Sequence, residues 1–99
     1  MEKMKSYKVN NDIDIAEHLI EKDGQQVTHL YLRKGKELGT HSVDMSVIVV
    51  PFKGLIEFTG ESGTEIIEPG MIIEMEPNEK HSLKGIEESH LIVVKSKIK

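Results

Sequence analysis

An all-β domain is the fold class this sequence predicts, and three observations predict it. From Val27 onward the chain falls into short segments rich in Val, Ile and Thr, residue types that pack well on a pleated, half-buried surface. Gly, Pro and Asn separate these segments at short intervals. Within several of them apolar residues recur at alternate positions, as in Ile56 and Phe58 or Met71, Ile73 and Met75, the period of a strand with one buried face.

Residues 1–12 are polar and charged, and Asn10-Asn11-Asp12 is a turn signal. Asp14 with Glu17 three positions later is a capping-box pattern ahead of Ile15, Ala16, Leu19 and Ile20. A single helical turn and an extended segment both fit this stretch, which stops at Asp23-Gly24. Strands are predicted near residues 27–34, 45–52, 54–59, 64–68, 71–76, 81–86 and 89–96, with connections short enough to make the pairings mainly antiparallel. Glu61-Ser62-Gly63 suits a hairpin loop in which the glycine takes positive φ. Pro69-Gly70 supplies the central pair of a type II turn, and Asn78 after Pro77 tolerates the left-handed region just ahead of His81. Val47-Ile48-Val49-Val50 and Leu91-Ile92-Val93-Val94 are apolar on both faces. One face can fill a core, and a second subunit is the expected cover for the other, making the protein a homodimer.

At 99 residues the chain is read as one domain, with a core over about 27–95 and residues 1–26 as an N-terminal extension. A net charge of −4, from 17 acidic and 13 basic residues, offers no general attraction to phosphate, so no nucleic-acid partner is expected. Lys95, Lys97 and Lys99 read as a solvated tail. The absence of cysteine excludes disulfides and thiolate chemistry. The first residues lack the apolar core of a signal peptide and the longest apolar run, Val47 to Phe52, is too short to span a bilayer. A cytoplasmic location without membrane association is the expectation.

Two stretches share a register that carries more information. The first is Gly35, five residues, His41, then Val43, then Val47, then Gly54. The second is Gly70, five residues, Glu76-Pro77-Asn78, two residues, His81, three residues, Gly85. Their spacing resembles the paired motifs of the cupin family, which read glycine, His-x-His, glutamate, glycine and then glycine, Pro-x-Gly, histidine, asparagine. Gly35, His41, Gly54, Gly70 and His81 fall on the pattern, and Val43 and Val47 stand where the family has a histidine and a glutamate. The resemblance implies a double-stranded β-helix, or jelly-roll barrel. It also implies that His41 and His81 face one another across the barrel.

In the family three histidines and the glutamate bind a divalent metal. With two of the four replaced by valine, His41 and His81 are the surviving ligand positions, and His90 or His29 is the candidate third donor for Zn, Ni, Fe or Mn. The competing account, favoured here, has no tightly bound metal. The two imidazoles are then polar residues in an apolar ligand pocket walled by Val43, Val47, Val49 and Leu83. Asp44 is expected on the opposite face from His41, and His18 in solvent. Tyr31 and Arg33 share a face with His29, where an anion site and a surface pairing are both open. Met45, Met71 and Met75 read as core filler rather than thioether ligands. Glu57, Glu65, Glu68, Glu74 and Glu76 alternate with apolar residues as a solvated face does. Three functions follow: a small-molecule-binding cupin, a metal-dependent dioxygenase or isomerase, and a structural or regulatory dimer.

Overall fold

The computed structural model describes residues 4–97. Nine strands make it up: β1 (Ala16–Lys22), β2 (Gln25–Leu32), β3 (Glu37–His41), β4 (Ser46–Lys53), β5 (Ile56–Gly60), β6 (Gly63–Ile67), β7 (Ile73–Met75), β8 (His81–Gly85) and β9 (Ser89–Ser96). They form a five-stranded sheet, in the order β1-β2-β9-β4-β7, and a four-stranded sheet, in the order β3-β8-β5-β6. Every pairing is antiparallel. No helix among the described residues is long and apolar enough to cross a membrane.

The seven strands expected from Val27 onward are all present, with ends that differ by no more than two residues. Two strands are additions. The stretch read as either a helical turn or an extended segment is the edge strand β1, so part of the supposed N-terminal extension belongs to the larger sheet. A bulge between His18 and Ile20 interrupts its register, and this explains the consecutive Leu19-Ile20 pair that hides a two-residue period. The other addition, β3, carries Leu38 as its only large apolar residue and has no alternation to read. It forms because β8 offers an open edge, pairing Leu38 with Leu83 and His41 with His81 across a second bulge.

The inner faces of the two sheets close on Leu32, Val47, Val49, Ile56, Phe58, Ile67, Met75, Leu83, Leu91 and Val93, with Leu30, Leu38, Val43, Met71 and Ile73 packed against them. Met71 and Met75 thus serve as core filler. The turns that aim the strands use residues suited to them. Gly70 has φ of 100°, and the N–H of Met71 closes its turn on the carbonyl of Glu68 at 3.1 Å. Asn78 has φ of 68°, and its N–H donates to the carbonyl of Val43 at 2.7 Å. That bond ties the start of β8 to the segment that follows His41.

Candidate functional site

Alternation along β2, β4 and β9 decides which residues see the barrel interior. Thr28 and Leu30, Val47 and Val49, and Val93 and Lys95 line a cavity of about 140 Å³, together with Leu38, His41, Phe58, His81 and Leu83 from the smaller sheet. The predicted pocket residues His41, Val47, Val49, His81 and Leu83 therefore converge. Val43 does not line the cavity; it lies beyond the end of β3, where the chain bends toward β4, and packs on the core. Asp44 is turned away as expected, its carboxylate accepting from the Asn78 side-chain amide at 3.5 Å.

His41 and His81 are cross-strand neighbours. Their ring centroids lie 4.2 Å apart, edge to face at 61°. His81 is buried and stacks on Phe58, whose ring is parallel to it within 2° at a centroid distance of 5.9 Å. His41 is exposed at the cavity mouth. Each ring is oriented by its own backbone: Nδ1–H of His41 donates to the Gly39 carbonyl at 2.9 Å, and Nδ1–H of His81 to the Glu79 carbonyl at 3.1 Å. These bonds leave Nε2 of each ring as the free lone pair. Burial lowers the pKa of His81 below its ordinary 6.5, and the nearby charges of His41 and Lys95 push the same way.

The predicted third donors lie elsewhere. Because Thr28, Leu30, Leu91 and Val93 point inward, His29 and His90 project from the outer face of the five-stranded sheet. There they stack on each other at 5.1 Å between centroids and against Phe52. A short chain of hydrogen bonds links them: Glu17 Oε2 to His29 Nδ1 at 2.8 Å, and His29 Nε2 to His90 Nδ1 at 2.9 Å. Tyr31 shares this face and donates its hydroxyl to Glu88 at 2.7 Å, which settles the question of its role as a surface pairing. His18 is exposed, as expected, but bonds to Thr28 Oγ1 at 2.9 Å through its Nδ1.

The fold type implies a divalent metal at the ligand positions, and the residues present do not fit one held tightly. Two imidazoles are available and Val47, where the family's glutamate would be, forms apolar wall. Among the described residues no group of three or more His, Asp or Glu side chains is placed to hold an ion. The ammonium of Lys95 at the same cavity opposes a second cation. A wider, open groove of about 360 Å³ lies between β5, β6 and β7, lined by Glu65, Glu74 and Glu79. It holds no imidazole, and Glu65 and Glu74 belong to the solvated faces seen in the sequence.

Sequence reasoning missed Lys95, Phe58, Thr28, Leu30, Leu38 and Val93 as cavity residues. Lys95 was legible, since it continues the inward face of Leu91 and Val93, but its place beside Lys97 and Lys99 made it look like a solvated tail. Lys99 lies outside the described residues.

No protein-family model matches the sequence, and no curated protein matches it. Solved structures do. A conserved protein of unknown function from Streptococcus pyogenes superposes with a TM-score of 0.81 at 25% identity, over 97% of this chain and 92% of that one. An RmlC-like cupin with a double-stranded β-helix fold from Methanocaldococcus jannaschii gives 0.82 at 23% identity, over 95% and 91% of the two chains. An RmlC-like cupin from Desulfovibrio desulfuricans gives 0.83 at 17% identity, over 95% and 97%. With its two antiparallel sheets, its turns in motif register and these near full-length superpositions, the chain is a small domain of the cupin fold.

Proposed function

We propose that this protein binds a small molecule in its barrel, through a two-histidine mouth above an apolar pocket and without a tightly held divalent ion. The observation that carries the reading is the cavity itself: about 140 Å³, walled mainly by Val, Leu and Phe, with His41 and His81 at one end. Apolar walls with a few placed polar groups are the usual form of a ligand pocket. A cavity of this size matches the engineered ~150 Å³ void that holds benzene. The test is methyl NMR with benzene-sized probes. Binding shifts Val47, Val49, Leu83 and Val93 together, whereas a core that admits none of them refutes the proposal.

A metal-dependent activity, of dioxygenase or isomerase type, is the second reading. It is favoured by one feature: both rings have Nδ1–H held by a backbone carbonyl, the way metal-ligating histidines are commonly oriented. Elemental analysis after native purification separates the two. We expect less than one equivalent of any divalent metal and a melting temperature unmoved by chelator. Stoichiometric metal that His81→Ala abolishes would establish the second reading instead. For the outer faces of β4 and β9 we propose a homodimer contact, on the exposure of Ile48 and Phe52.

A further inference from the structure

Resting on the reading of the barrel as a ligand pocket, we infer that its ligand is a small monocarboxylate. The apolar body, of about six carbons, fills the cavity and the carboxylate meets Lys95 at the mouth. Lys95 stands on the inward face of β9, half-buried, and lines the same cavity as His41 and His81. Its cross-strand neighbours are Gln26 on β2 and Val47 on β4, neither of them acidic. The ion pairs among the described residues are Glu17 with His29 and Lys53 with Glu88, so Lys95 has no carboxylate partner among them. A half-buried lysine that lines an apolar pocket, with no counter-charge among the described residues, is complementary to an anion that brings its own apolar body.

The remaining groups narrow the choice. Thr28 and the imidazoles of His41 and His81 add polar groups to the same cavity lining. The single ammonium that lines the cavity favours a monoanion over a phosphate dianion. An amine is repelled by Lys95, and a neutral alcohol or amide leaves the ammonium unpaired. The size follows from the volume of about 140 Å³, room for a benzene ring.

Benzoate, benzamide and benzylamine are matched probes, each titrated while the methyls of Val47, Val49, Leu83 and Val93 are followed by NMR. Benzoate should bind about tenfold more tightly than benzamide, the scale of one charge-assisted hydrogen bond. Lys95→Gln should bring the two to parity, whereas Lys95→Arg should keep the preference. Added salt should weaken benzoate and not benzamide, a readout on the unmodified protein that holds whether or not a variant folds. Equal binding of benzoate and benzamide to the unmodified protein overturns the carboxylate inference while leaving the pocket reading intact. If none of the three probes moves the cavity methyls, the pocket reading itself has failed.

Discussion

His90 ends a line of three titratable side chains that begins at Glu17 and passes through the fully buried His29. Its proton arrangement follows from the bonds. His29 Nδ1–H donates to the Glu17 carboxylate, so His29 Nε2 accepts from His90 Nδ1–H, and only one proton fits between the two rings. His90 Nε2 makes no bond among the described residues and touches solvent. Burial, with the charges of His29 and Lys53, lowers the pKa of His90 below 6.5, and His81 is lowered by its own burial. The unfolded chain therefore takes up these protons first, and stability is lost as pH falls through about 6.5. Glu17, held down by the Asn10 N–H and by His29, and Glu88, held down by the Tyr31 hydroxyl, add a further loss below about 4.5. Tyr31 is raised above 10.0 by that same bond, and its contribution is lost as pH rises through its folded-state value. Melting temperature should therefore be flat from about pH 7 to about pH 9.5 and fall on both sides. His90→Gln should shrink the drop between pH 7 and 5, and an unchanged drop would show that His90 does not cause it. At this scale motif spacing brought His41 and His81 to one site, but the expectation set them across the barrel from one another, whereas they are cross-strand neighbours on β3 and β8 of the same sheet. The sequence concealed the location of His29 and His90, because alternation says which residues share a face and not which face is inside.

Strand β5 can begin only because the turn before it contains a glycine with no room for a side chain. A Cβ on Gly54 would lie 2.3 Å from Ser89 Oγ and 2.4 Å from the Glu88 carbonyl, and its φ is 90°. Both obstacles oppose Gly54→Ala, which should lose roughly 3 kcal/mol of stability in urea unfolding. Gly39 in β3 is the contrast: a Cβ there meets nothing within 4 Å. Gly39→Ala should stay within about 0.5 kcal/mol of the parent. Equal losses at the two positions would contradict this account. The motif glycine thus has a reason to persist that is independent of any metal, and this is why spacing remains legible where the ligand types have changed to valine. Short apolar or alternating segments bounded by turn residues, β2 and β4 through β9, were likewise legible. β1 and β3 were not, since each carries a bulge and owes its existence to a neighbouring strand rather than to its own pattern.

For the molecule as a whole, the double-sheet barrel was readable from two motifs in register, whereas the covering of its outer faces is a matter of association. Ile48 and Phe52 are 38% and 42% exposed on the outer side of the larger sheet. If two copies meet there, light scattering will give a dimer mass, and Phe52→Asp will convert it to monomer without lowering the affinity of the cavity for its probe. A monomer in the unmodified protein ends that proposal. The strand order has a different implication. β9 lies between β2 and β4, so the centre of the larger sheet is made from residues 89–96, while the strands it joins end at Leu32 and Lys53. Neither flanking strand has a partner on that side until the chain through Ser96 has been synthesised, and closing such long loops precedes any gain from pairing. Refolding from denaturant should accordingly be slow for a chain this short, in the millisecond-to-second range of non-local β topologies. On the ribosome the larger sheet cannot close early: β2 and β4 must wait as unpaired edges for the segment that joins them.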